Sequence, residues 1–384
     1  MSPQLNSSET LVKYPLSQPH EPKVENSVLV FDSNLMQKQG KVPKEFLWSS
    51  LDSVNTTKEE LNEPLIDLGI MTKGDEEAIA IAAKHVGEAG LKHGFFQVIN
   101  HGVDPNLIHA AYNETDTIFK LPLSKKLSAK RKAGEVSGYS GAHADRYSSN
   151  LPWKETFSFR YNHQNNSNSQ IVDYFKSVLG EDHQHTGWVY QKYCEAMKKL
   201  CLVIMELLAI SLGVDRLHYQ RFFQDGDSIM RCNYYPPCKS SSITLGTGPH
   251  TDPTSLTVLH QDQVGGLEVF IDNKWLPIRP RQEALVINIG DTFMALSNGR
   301  YKSCVHRALV NKEKERRSLV FFLCPRQDKT VRPPDNLLSQ KQPRKFPDFT
   351  WSDLFEFTQK HYRADAATLQ SFFQWQCTSM PSNF

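Results

Sequence analysis

His250, Thr251 and Asp252 stand just ahead of the apolar, β-branched run Leu256 to His260. In extended backbone alternate side chains share a face, so His250 and Asp252 point one way and Thr251 the other. Two imidazoles and one carboxylate around an ion leave positions open for reactants, which is the donor set of a non-heme Fe(II) oxygenase centre. The third ligand has to come from elsewhere. His306 is the best candidate, in the strand-like segment Tyr301–Val310, with the smaller Cys304, Ala308 and Val310 on its own face. Each piece taken alone also suits a polar turn or a core histidine, because short motifs are weak evidence singly.

Arg316, Ser318, Val320 and Phe322 alternate onto one face of a later strand. A guanidinium turned inward beside a hydroxyl is costly to bury without an anion, and its planar fork suits a carboxylate. The alternative places Arg316 in the exposed run Lys312–Arg317. The ordered set His-x-Asp, His, Arg-x-Ser is far more specific than any one part. A hydrolytic zinc centre would use the same three ligands and a metal-bound water, but it leaves Arg316 and Ser318 without a task. A jelly-roll binding module would close its metal site, whereas three ligands leave positions free.

With these residues the chain resembles the plant iron(II)/2-oxoglutarate-dependent dioxygenases, from Pro64 to Tyr362. Asn233–Cys238 (NYYPPC), Leu151–Thr156 (LPWKET) and His93–Gln97 (HGFFQ) are similar to the branch that oxidises gibberellins, LPWKET being the narrowest signal. The chain departs from that pattern at Thr251, where Cys is common, and in the Ser-rich tract Lys239–Ser242. The resemblance implies Fe(II) on His250, Asp252 and His306. It implies 2-oxoglutarate as co-substrate, its distal carboxylate on Arg316 and Ser318 with Tyr235 as hydrogen-bond donor, and ascorbate as reductant. It implies O2 and a small diterpenoid acid as reactants, with carbon 20 of a C20 gibberellin oxidised stepwise to a C19 product while succinate and CO2 leave. Another gibberellin carbon, or a flavonoid, is the alternative. LPWKET carries a substrate-related role, in which Lys154 would meet the acid's carboxylate and Trp153 would offer apolar area. The bland alternative is a strand start with exposed charges.

Composition narrows the class. The 384 residues hold 44 basic and 42 acidic side chains and are 39% hydrophobic, with a mean hydropathy of −0.48, as in soluble globular proteins. Near-balance of charge argues against nucleic-acid and membrane-surface partners. No apolar run reaches the roughly 18 residues of a membrane span, and the N-terminus lacks the pattern of a secretory signal. Seven cysteines without regular spacing read as reduced thiols in the cytoplasm. Nothing demands more than a monomer.

The elements that must position these residues follow from periodicity. Residues 1–62 read as a flexible leader and linker, with 42–48 docking as a short helix or turn. Residues 63–220 form an N-terminal region: a strand at 64–68, helices at 75–93 and 105–119, and a strand at 95–99 between them. Asp104 caps the second helix and Pro105 opens it. Leu123–Ala133 carries Lys125, Lys126, Lys130, Arg131 and Lys132 as a solvated helix face. Ser137–Ser149 reads as a loop near the site mouth, 163–170 as a polar loop, and Gly187–Leu212 as the longest helix, a brace ended by Gly213. Residues 221–330 change to short strands with a tight turn at Asp272-Asn273. The tail, 331–384, is helical, with a capping box at Thr350 and Asp353. The expected fold class is mixed α and β: a double-stranded β-helix (jelly-roll) core with an N-terminal helical region and bracing helices.

Overall fold

Alternating β-branched and aromatic residues after Asp227 build strand upon strand, and twelve strands form the core. They are β1 (Leu65–Asp67), β2 (Phe95–Ile99), β3 (Gly138–Gly141), β4 (Glu155–Asn162), β5 (Asp227–Tyr235) and β6 (Leu245–His250), then β7 (Leu256–Gln261), β8 (Leu267–Ile271), β9 (Lys274–Pro277), β10 (Leu285–Ile289), β11 (His306–Leu309) and β12 (Arg316–Leu323). The computed structural model describes residues 30–33, 36, 41–48, 57–147, 149–162, 169–361 and 366–379. Most of the leader expected to be flexible, and residues 163–168 of the polar loop expected at 163–170, lie outside the described residues, while Gln170 already opens a helix.

The larger sheet runs β1-β2-β10-β7-β12-β5-β4-β3 and the smaller β6-β11-β8-β9. Only β1 and β2 pair in parallel; every other pairing in the two sheets is antiparallel. The turn between β8 and β9 is Asp272-Asn273, both left-handed at φ 48° and 61°, as a two-residue hairpin of this twist requires. The residues lining the central cavity come from both sheets, so the site sits between them, as in a double-stranded β-helix.

Helix Gln184–Leu212 packs on β7 and β12 and buries Tyr190, Met197, Cys201, Ile204 and Leu208. It starts earlier than the sequence suggested. Gly187 marks a close crossing rather than a helix start: a Cβ there would lie 2.6 Å from Val172 Cα, in a helix Gln170–Leu179 that the pattern did not reveal. The capping box is formed both ways, Thr350 N–H donating to Asp353 (3.1 Å) and Asp353 N–H to Thr350 Oγ1 (3.2 Å). Two other expectations fall. The Ser137–Ser149 stretch contains edge strand β3 on β4, and Tyr301–Val310 is strand only from His306 to Leu309.

The lysine run is not a uniformly solvated face. Lys126 and Arg131 are each 2% exposed. Lys126 Nζ pairs with Glu155 Oε2 at 2.6 Å, and Arg131 with Asp145 at 2.8 Å. Partners far along the chain make such burial tolerable. Within the leader, Lys44–Phe46 is a 3-10 turn. Phe31, Phe46 and Trp153 pack edge-on or tilted in a second apolar cluster. Among the described residues, no helix is long and apolar enough to cross a membrane.

Candidate active site

β6 ends at His250, and β11 begins at His306 directly opposite it in register. Their rings lie 4.2 Å apart, and their Nε2 atoms lie 3.6 and 3.7 Å from the Asp252 carboxylate. One donor atom from each of the three falls within 4.8 Å of the others. His250 Nδ1 faces the Gly248 carbonyl at 2.9 Å and His306 Nδ1 the Cys304 carbonyl at 3.2 Å. Such bonds place the proton on Nδ1 and leave Nε2 as the ligand atom. Burial, then the neighbouring His306, pushes His250 down to about 3, so its ring is neutral and ready for a metal. Burial alone would raise Asp252; His306, His250, Thr257 and Asn288 outweigh it and keep it a carboxylate.

The cavity beside these ligands has an empty volume of about 540 Å³. Arg316, Ser318, Val320 and Phe322 all line it, as period-two alternation on β12 demands. Arg316 Nε donates to the Gly265 carbonyl at 2.5 Å and Nη2 to Gln261 Oε1 at 3.2 Å. Nη1 is buried without a partner, as are Gln261 Nε2 and Asn233 Oδ1. Asn233 Nδ2 holds Ser318 Oγ at 3.1 Å. Tyr235 stands opposite Arg316 in register, its ring 4.8 Å beneath the guanidinium carbon. Gly246 makes room for it, since a Cβ there would lie 2.6 Å from Tyr235 Cδ1. Two orphaned buried donors, Arg316 Nη1 and Gln261 Nε2, fit a bound carboxylate. Two imidazoles and a carboxylate with open positions fit Fe(II).

Lys154 lines the cavity too, but at the Arg316 end. Its ammonium is 3.0 Å from Thr247 Oγ1 and 5.9 Å from the Tyr235 ring centre. Burial, then Arg231, holds it well below the usual lysine range. Trp153 is absent from the lining and points into the leader cluster with Phe31 and Phe46, so the expected apolar contribution to a substrate does not come from its ring. Val320, Phe322, Leu259, Leu267 and Ala308 supply the apolar wall instead.

Sequence reasoning passed over several lining residues. Thr257 and Asn288 bond Asp252 Oδ2, and Arg231 shares the cavity face of β5 with Asn233 and Tyr235. Period two along Ile229–Tyr235 would have found Arg231. Nothing local marks Asn288, whose role depends on β10 lying beside β7.

Residues 226–325 match the 2OG-Fe(II) oxygenase superfamily, and residues 64–177 match the N-terminal region of non-haem dioxygenases described from morphine synthesis. Gibberellin 20 oxidase 2 of Oryza sativa subsp. indica is 55% identical over 88% of this chain and 86% of its own length. Gibberellin 20 oxidase 2 of Arabidopsis thaliana is 50% identical over 95% and 97%. The solved structure of JOX2 with 2OG, Fe and JA overlays at a TM-score of 0.75 and 27% identity, covering 90% of this chain and 98% of that one. A rice dioxygenase for auxin oxidation gives 0.67 and 27%, covering 81% and 99%. Donor set, carboxylate cradle and sheet order therefore coincide with kinship: the chain belongs to the 2OG-Fe(II) oxygenase superfamily, as a dioxygenase of its gibberellin 20 oxidase group that takes Fe(II) and 2-oxoglutarate.

Proposed function

We propose that this enzyme oxidises carbon 20 of a C20 gibberellin in successive turns, ending with loss of that carbon to give a C19 gibberellin. The observation that carries the reading is one cavity holding the His250–Asp252–His306 cluster, a cationic end at Arg316 and an apolar wall, in a chain at least 50% identical to gibberellin 20 oxidases. When bound, iron with 2-oxoglutarate and O2 supplies the oxidation of a C–H bond, with release of succinate and CO2.

In this reading His250, Asp252 and His306 hold the metal, and Arg316 takes the distal carboxylate of 2-oxoglutarate through its unpartnered Nη1. Ser318, kept in place by Asn233, adds a hydroxyl, and Tyr235 supports the guanidinium from below. Lys154, beside Thr247 and Tyr235, adds positive charge to the cavity. Leu259, Val320 and Phe322 accept methyl, alcohol and aldehyde in one pose, because an apolar wall rejects an added hydroxyl only weakly. Ascorbate serves as external reductant. The protein acts as a cytoplasmic monomer on a diterpenoid acid.

The test is to incubate pure protein with 2-oxoglutarate, Fe(II), ascorbate and a panel of gibberellins and flavonoids, and to identify products by mass. Loss of carbon 20 from a C20 gibberellin is expected. Hydroxylation at another ring carbon with carbon 20 untouched, or turnover of flavonoids alone, overturns the reading. Sedimentation as a dimer overturns the monomer, and import of a tagged full-length chain into an organelle overturns the compartment.

A further inference from the structure

Arg231 belongs to none of the motifs above, yet it faces the cavity. Strand β5 sets it opposite Ser158 on β4 and Val320 on β12. Its Nε donates to Ser158 Oγ at 3.0 Å, and the guanidinium carbon stands 5.3 Å from the Phe322 ring centre. Among the described residues it enters no ion pair, and Ser158 is the one hydrogen-bond partner it has. The other two lining arginines do not share this state. Arg307 is locked to Glu268 at 2.7 Å, and Arg316 is braced by Gly265 and Gln261. Burial, then Arg131 and Arg146, pulls the Arg231 guanidinium down to about 10. A partly buried cation surrounded by other cations is unfavourable unless a ligand brings an anion.

The anion is not 2-oxoglutarate in the reading above. Arg316 pairs with Tyr235 and Val320 with Arg231, so the two guanidinium levels are four residues apart, about 13 Å along the strand. A five-carbon diacid that chelates the metal and ends on Arg316 does not also reach Arg231. Val320 stands at the Arg231 level with Leu259 beside it, and Phe322 lies two residues farther along the same face. The cavity thus offers a second positive end facing apolar side chains, which matches a rigid hydrocarbon acid.

We propose that Arg231 anchors the carboxylate of the organic substrate, and that this contact sets which carbon is turned toward the metal ligands. The assignment deepens the proposed function and rests on it. Ser158 is the positioning residue: it holds Nε and leaves the outer nitrogens of the fork free for a carboxylate.

The experiment compares a C20 gibberellin with its methyl ester in wild type, Arg231→Gln, Arg231→Lys and Ser158→Ala. Wild type should favour the acid. Arg231→Gln should raise the KM for the acid at least about tenfold, the loss expected for a charged hydrogen-bond partner, and bring the acid-to-ester ratio close to one. The KM for 2-oxoglutarate and the melting temperature should stay in place. Arg231→Lys should recover part of the acid preference, and Ser158→Ala should lose part of it. An unchanged acid-to-ester ratio in Arg231→Gln overturns the inference, and so does a raised 2-oxoglutarate KM with the ratio intact. If wild type ignores gibberellins but oxidises another apolar acid of the panel, the functional reading fails, and the same acid-to-ester comparison on that acid still decides Arg231. Turnover confined to compounds without a carboxylate overturns both.

Discussion

Asn288 Nδ2 donates to Asp252 Oδ2 at 2.9 Å. Thr257 Oγ1 donates to the same oxygen at 2.6 Å, so one carboxylate oxygen is held by protein and Oδ1 is left to face His250. The carboxylate is aimed before any metal arrives, and such support around a ligand is worth roughly 10–100-fold in metal affinity. Asn288→Ala should weaken Fe(II) binding by that order, read by titration of the apoprotein, with little change in melting temperature. Asp252→Ala should abolish both turnover and most iron binding. Wild-type activity in Asp252→Ala would sink the assignment of the centre.

Arg316→Lys keeps the charge and loses the fork, so Gly265 and Gln261 lose partners along with the bound carboxylate. The KM for 2-oxoglutarate should rise strongly, with the KM for the organic substrate little changed. Lys154→Ala should move the same constant in the same direction, because its ammonium lies beside Thr247 and Tyr235. Steady-state kinetics with each substrate varied in turn separates the two. A Lys154→Ala enzyme that loses affinity for the terpenoid alone would restore the substrate role expected from LPWKET.

The buried pair Lys126–Glu155 makes a stability prediction. Both side chains are at most 3% exposed, and Tyr139 Oη also donates to Glu155 at 2.9 Å. Lys126→Met leaves the carboxylate uncompensated, at a cost of about 3–5 kcal/mol, visible as a lower denaturant midpoint. Lys130→Met, on the exposed side of the same run, should stay within about 0.5 kcal/mol. Equal midpoints for the two variants would show that the ion pair is not what the fold depends on there.

Acid sensitivity follows from His93. Burial, then Lys92, brings it from 6.5 down to about 4, and its Nδ1 accepts the Phe95 N–H at 3.1 Å. The unfolded chain takes up a proton near pH 6.5 that the folded chain refuses until about pH 4. Its contribution, about 3 kcal/mol, is therefore complete above pH 6.5 and is lost as the pH falls toward 4. His260, also lowered to about 4, acts in the same direction. Thermal melts across this window should slope downward toward acid in wild type. They should slope less in His93→Asn, whose side-chain oxygen can still accept from Phe95.

What could be read along the chain was what depends on neighbours along the chain. The face shared by Arg316, Ser318, Val320 and Phe322 is a consequence of strand pleating alone, and all four line the cavity. The caps at Asp104 and Thr350 need only residues two or three positions away, and the positive φ of Asp272-Asn273 needs only its own turn. The chemistry was legible for the same reason, since His250 and Asp252 sit on one short stretch.

Tertiary structure decided the contacts whose partners are set by sheet order and register. His306 becomes a third ligand because β11 lies beside β6 with His306 opposite His250. Asn288 reaches Asp252 because β10 lies beside β7. Lys126 leaves the solvated face only because the sheet brings Glu155 within 2.6 Å of it, and Trp153 turns from the cavity because Phe31 and Phe46 pack on it. Arg231 becomes a cation without a counterion only when β4 and β12 close on both sides of β5. Periodicity states which way a side chain points, but register states what it meets, and register is a property of the whole sheet.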